Sequence, residues 1–116
     1  MITGAHTIIY AAEPERARAF CRDVLGLAHV DAGDGWLIFA LPPAELGVHP
    51  ADPSSNGRHE LYLMCDDVEA VVAELTTRGV EFTAPVTDQG FGLVTSLIVP
   101  GAGELGLYEP RHPTPL

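Results

Sequence analysis

Two stretches of this 116-residue chain close in nearly the same letters, Glu45-Leu-Gly-Val-His49 and Glu104-Leu-Gly-Leu-Tyr108. Each ends a segment with the same order of expected elements, so the chain reads as one supersecondary unit written twice. A unit of that size cannot bury its apolar face alone, and 116 residues suffice for one domain with one modest core. The two halves are therefore expected to share a single domain spanning residues 1–116.

In the first half, His6-Thr-Ile-Ile-Tyr10 is a β-branched and aromatic run that predicts a strand. Glu13-Pro14 can then open a helix with proline at its first position. Ala17, Phe20, Cys21, Val24 and Leu25 follow the spacing of one buried helical face, and Gly26 can stop it. His29-Val-Asp31, Trp36-Leu-Ile-Phe-Ala-Leu41 and Leu46-Gly-Val-His49 read as three short strands, separated by Gly33-Asp34-Gly35 and Pro42-Pro43. The first half is thus βαβββ.

Pro50-Ala-Asp-Pro-Ser-Ser-Asn-Gly57 is dense in turn formers and reads as a linker. The pattern then restarts. Glu60-Leu-Tyr-Leu-Met-Cys65 predicts a strand, Asp66 an N-cap with Glu69 as its capping-box partner, and Val68, Val71, Val72 and Leu75 a helical stripe closed by Gly79. Val80-Glu-Phe-Thr83, Gly92–Val99 and Leu105-Gly-Leu-Tyr108 supply three more strands. The expected organisation is module one over about residues 1–50, a linker over about 51–58, module two over about 59–110 and an extended Pro-rich tail, 111–116.

Sixteen acidic residues against six basic give a formal charge of −10, which repels phosphate backbones and excludes nucleic acid as a natural partner. The same acidity serves solubility, or makes a field that draws in a cationic ligand. No run approaches the roughly eighteen apolar residues that cross a bilayer, so no membrane partner is expected. Met1 to Tyr10 lacks the pattern of a secretory signal, and a cytoplasmic location is the expectation. Cys21 and Cys65 lack CxxC or zinc-like spacing and read as buried free thiols.

His6-Thr-Ile-Ile followed by Pro14 through Phe20-Cys-Arg-Asp-Val-Leu-Gly-Leu27 resembles the vicinal oxygen chelate superfamily, the glyoxalase, bleomycin-resistance and extradiol dioxygenase-like proteins, with Cys21 where a tyrosine is usual. Asp66-Asp-Val-Glu-Ala-Val-Val-Ala-Glu-Leu-Thr-Thr-Arg-Gly79 is similar to the family's second helix, and Glu109-Pro110 to its terminal Glu-Pro. The resemblance covers nearly the whole chain. It implies an α+β fold in which two tandem βαβββ modules form a curved, cup-shaped mixed sheet with helices outside and ligands in the cup.

In the family's metalloenzymes the first and last strands of each module carry metal ligands. On the first-strand positions this chain has His6 and Glu60, each seven residues before the helix-opening acids Glu13 and Asp67. On the last-strand positions, where the metalloenzymes generally carry glutamate, it has Gly47 and Gly106, which cannot ligate through a side chain. Two ligands rarely hold a metal firmly. Strand alternation puts Glu45, Gly47 and His49 on one face, so a shifted Zn, Ni, Fe or Mn site of His6, Glu60 and His49 is one reading, implying a metal-dependent lyase, isomerase or dioxygenase.

The other reading is a protein that binds without chemistry. Glycine at 47 and 106 widens the floor of the cup. Tyr10, Tyr62, Met64 and Tyr108 share strand faces with the ligand candidates, and Trp36, Phe39 and Phe91 are candidates for stacking. An aromatic, acidic and roomy cleft suits sequestration of a bulky aromatic or cationic natural product, as the resemblance to the bleomycin-resistance branch also implies. The family resemblance and the small size further imply a homodimer.

Overall fold

The computed structural model describes residues 7–9, 11–45, 47, 52–54, 56 and 58–113. The elements in chain order are helix α1 (Pro14–Ala19), continued by a π-helical turn over Phe20–Val24, strands β1 (His29–Asp31), β2 (Leu37–Phe39) and β3 (Tyr62–Met64), helix α2 (Val68–Thr77), and strands β4 (Thr87–Asp88), β5 (Gly92–Val99) and β6 (Gly103–Pro110). The fold class is α+β with a mixed sheet. β1 and β2 form an antiparallel pair, and the other four strands form one sheet of order β3-β6-β5-β4, with β3 parallel to β6 and the remaining pairs antiparallel.

The second module therefore runs β3, α2, β4, β5, β6, the βαβββ order read from the sequence. Its second strand is broken: Phe82 makes one antiparallel bridge to Leu97, and the ladder resumes at Thr87. Of the first module the helix and the β1–β2 hairpin are described. The strand expected at His6–Tyr10 is represented by Thr7, Ile8 and Ile9, which are exposed and assigned to no strand, and that expected at Leu46–His49 lies outside the described residues except for Gly47.

Alternation along β5 and β6 divides the sheet into two faces. Leu97 opposes Leu105 and Thr95 opposes Leu107, and with Val99 these side chains turn to the helices. Phe20 from the π turn and Leu75 from α2 close over them, with Val80 completing the buried cluster. Leu97 is 0% exposed, so the centre of the domain lies where both helices meet β5. Helix α1 thus packs on the sheet of the second module. Two polar contacts repeat that association: Glu13 N–H donates to the Gly101 carbonyl (2.9 Å), and the Arg78 guanidinium donates to the Val24 carbonyl (3.0 Å).

Gly26 ends the first helix with φ +68°, and Pro14 stands at its start. The wide turn between them is a departure from the expected α-helix: the Leu25 N–H reaches back to the Phe20 carbonyl, which lets Phe20, Val24 and Leu25 all reach the core. The cap of α2 is Asp67, whose carboxylate accepts from the Ala70 N–H (3.1 Å), one residue later than the expected Asp66. Cys21 and Cys65 are free thiols, half-buried, and burial raises both above the ordinary thiol range.

A second cap comes from across the fold. The carboxylate of Glu109, on β6, accepts the N–H of Val68 at 3.1 Å. Val68 is 0% exposed, so this donor has little water to turn to. Glu109→Ala is expected to cost about 1–3 kcal/mol, the penalty of an unsatisfied buried donor, whereas Glu109→Gln keeps an acceptor and is expected to lose less. Urea unfolding of the three proteins checks this ordering; equal losses would remove the cap from the account.

Candidate functional site

The face of the sheet turned away from the helices carries the opposite parity. Tyr62 and Met64 of β3 pair with Gly106 and Tyr108 of β6, and Val94 and Ser96 of β5 pair with Tyr108 and Gly106. Strand pairing thereby brings together four residues that the sequence singled out: Tyr62, Met64, Tyr108 and, from the turn before β5, Phe91. The rings of Tyr62 and Phe91 both meet Tyr108 edge to face, with centroids 5.7 and 5.9 Å away. The Tyr108 hydroxyl lies 3.4 Å from the Met64 sulfur.

This cluster is open to solvent on its outer side. Phe91 is 50% exposed, Tyr62 39% and Met64 36%, so large apolar surface is held in contact and yet uncovered. Carboxylates border it. Glu60 accepts from the Tyr62 hydroxyl (3.2 Å) and pairs with Arg58 (2.7 Å). Glu45, from the end of module one, approaches His112 at 3.9 Å and has a side chain only 16% exposed. Burial first, and then the charge of Glu60, holds the Tyr62 phenol above its ordinary pKa; burial and then Glu45 do the same for Tyr108. Both are neutral hydroxyl donors at neutral pH.

Glycine makes this arrangement sterically feasible. A Cβ at position 106 would collide with the Tyr62 ring, and one at position 92 would come 2.9 Å from the Tyr108 ring and 2.6 Å from the Glu109 carbonyl. The space that a side chain at 106 would take is occupied by the aromatic ring of Tyr62.

Other candidates from the sequence lie elsewhere. Trp36 is exposed beside the β1–β2 hairpin with the Arg18 guanidinium 5.2 Å from its ring centre, and Phe39 meets His29 at 5.7 Å. Tyr10, His6 and His49 lie outside the described residues. Sequence reasoning placed His112 in an extended tail, but it is stacked on Tyr108 with ring centres 6.2 Å apart. A histidine four residues beyond a site tyrosine gave no periodic signal that could have found it.

Of the four residues at the family's metal positions, Gly47, Glu60 and Gly106 are among the described residues and His6 is not. Gly106 offers no ligand and is covered by Tyr62, and Glu60 is engaged by Arg58 and Tyr62. No group of three His, Cys, Asp or Glu side chains converges for a metal ion among the described residues. A concavity of about 310 Å³ elsewhere, between the end of the first helix and α2, is lined by Val24, Leu25, Leu63, Val71 and Leu97, and the Glu74 and Arg78 on its wall are paired with each other at 2.8 Å. The open aromatic face is where polar groups and apolar surface converge.

The family model described as Glyoxalase/Bleomycin resistance protein/Dioxygenase superfamily matches residues 4–110. The chain belongs to that superfamily. Among solved structures, it is similar to TnmS3, an antibiotic binding protein from Streptomyces sp. CB03234, at 24% identity over 96% of this chain and 100% of that one, with a TM-score of 0.64. A glyoxalase/bleomycin resistance protein from the same Streptomyces is 26% identical over 86% of this chain and 94% of that one, with a TM-score of 0.58. Lactoylglutathione lyase from Agrobacterium tumefaciens is 20% identical over 92% and 96%, also with a TM-score of 0.58. No curated protein matches the sequence. An antibiotic binding protein and a lyase thus both stand among its structural neighbours, and no helix among its described residues is long and apolar enough to cross a membrane.

The contact of Tyr62 with Gly106 can be measured by a double-mutant cycle. Gly106→Ala is expected to cost about 1–3 kcal/mol by overpacking against the ring. In a Tyr62→Ala background the same change is expected to be neutral or stabilising, because glycine weakens a strand. Additive costs in thermal or urea unfolding would show that the ring does not occupy that space.

Proposed function

We propose that the protein binds a bulky aromatic or cationic small molecule on the open face of its second module and sequesters it without chemistry. The observation that carries this reading is the exposed cluster of Tyr62, Met64, Phe91 and Tyr108 with Glu45 and Glu60 at its border. Aromatic faces attract flat rings by offset or edge-to-face contact and attract cations through the ring quadrupole, and the flanking carboxylates favour positive charge. The overall charge of −10 adds a long-range attraction of the same sign. Similarity to an antibiotic binding protein and to a bleomycin resistance protein supports sequestration of a natural product as the use of such a face.

Isothermal titration with a panel of flat aromatic compounds and aromatic cations tests this. Saturation at one ligand per chain is expected for at least one member, with Tyr108→Ala weakening it by about tenfold, or ~1.4 kcal/mol. A panel without any saturating member, or binding indifferent to Tyr108→Ala, would overturn the proposal.

Val30 and Trp36 lie exposed on one face of the β1–β2 hairpin, and a two-stranded hairpin is marginal without cover. We propose a homodimer that covers them. Light scattering is expected to return twice the chain mass at micromolar concentration, and a shift toward monomer for Val30→Asp; a monomeric wild type would refute it.

A further inference from the structure

His112 follows β6 in a short stretch that folds back onto the aromatic cluster. The Arg111 N–H donates to the Phe91 carbonyl (2.8 Å) and the Arg111 guanidinium approaches Asp88 at 3.7 Å, and the next residue then lays its imidazole against Tyr108. The two rings are inclined by 28°, whereas Tyr62 and Phe91 meet Tyr108 at 84° and 68°. The imidazole therefore lies nearly parallel to Tyr108 at its hydroxyl end, and the ring edges carry the matching chemistry. Nδ1 lies 2.7 Å from the Pro113 carbonyl, which only accepts, so Nδ1 holds a proton. In the neutral ring Nε2 is then an acceptor for the Tyr108 hydroxyl, 3.3 Å away.

In the charged ring Nε2 becomes a donor, with the Tyr108 oxygen at 3.3 Å and the Glu45 carboxylate within ion-pair distance at 3.9 Å, and the Tyr108 hydroxyl has the Met64 sulfur at 3.4 Å as its alternative acceptor. The surroundings satisfy a planar nitrogen heterocycle in both protonation states. We propose that His112 is an internal occupant of a subsite made for a planar, protonatable nitrogen heterocycle, formed by Tyr108, Met64 and Glu45, and that a ligand of this class displaces it. This rests on the reading of the open face as a ligand-binding surface and narrows it to one class of ligand. A hydrocarbon ring would stack equally well but offer nothing to Glu45 or to the tyrosine hydroxyl. Displacement is sterically simple, because His112 remains 30% exposed and its tether is a surface stretch.

The probe is 2-aminobenzimidazole, a planar heterocycle that is largely cationic at neutral pH, compared with indole, which has a similar shape and no basic nitrogen. His112→Ala is expected to bind 2-aminobenzimidazole about tenfold more tightly than wild type, the correction for a site that its own side chain fills about nine-tenths of the time. In the wild type, the His112 ring resonances are expected to move toward those of a solvent-exposed histidine with the same midpoint as binding by calorimetry. Indole is expected to bind about tenfold more weakly than 2-aminobenzimidazole, and Glu45→Gln to bring the two compounds level.

Equal or weaker binding by His112→Ala would make His112 a wall of the site and overturn its role as occupant. Wild-type binding that does not separate the two compounds would overturn the ligand class. Binding of neither compound to either protein would also reject that class, while the aromatic panel and Tyr108→Ala decide the wider proposal independently.

Discussion

Strand β6 has to serve two environments at once, and its period of two fixes which residue meets which. Leu105, Leu107 and Glu109 turn to the helices, while Glu104, Gly106 and Tyr108 turn to the open face. A slip of one residue would carry Tyr108 into the core and Leu107 into solvent. Register is held from both sides. Leu105 and Leu107 are buried, and the Glu109 carboxylate caps the first N–H of α2, so helix and strand agree on one alignment. The Cys65 N–H, donating to the Tyr108 carbonyl at 3.0 Å, adds the parallel strand β3 to the same lock. The position of the Tyr108 ring is thus decided by contacts on the other side of the sheet.

Once the register is set, the aromatic face depends on what is missing from its floor. Gly106 and Gly92 lie beneath or beside the rings of Tyr62 and Tyr108, and a methyl group at either place would collide. Glycine in a strand normally weakens it, so its use here reflects close approach by another group. At position 106 a side chain and the Tyr62 ring would compete for one volume. The glycine is therefore better understood as the partner of a particular tyrosine than as a simple loss of a ligand.

Much of this architecture was legible in the sequence because it rests on short-range regularities. The stripes ending at Gly26 and Gly79, the strand over Gly92–Val99 and the second Glu-Leu-Gly ending each encode one element within a few residues, and the structure contains the helices and strands these imply. Asp66 and Asp67 are equivalent as letters, and only helix register distinguishes which one caps Ala70. The π turn at Phe20 is set by the need to seat Phe20 and Leu25 in one core, a tertiary demand that overrides the regular helix. Site composition was harder to read. Tyr62, Met64 and Tyr108 could be grouped by two-residue steps, but Trp36 and Phe39 look identical in sequence to stacking residues and are placed against Arg18 and His29.

Glu45 and His112 show most clearly what a linear reading misses. They come from the end of module one and from the stretch beyond module two, and they meet 3.9 Å apart beside Tyr108. Neither belongs to a local pattern that predicts the other. Their meeting also has a consequence for energetics. The Glu45 side chain is only 16% exposed, and a carboxylate so placed is favoured by each donor that the fold sets beside it, the edge of His112 among them. A carboxylate from before β3 thereby reaches the aromatic face that β3 and β6 build, so that face draws on residues far apart in the sequence.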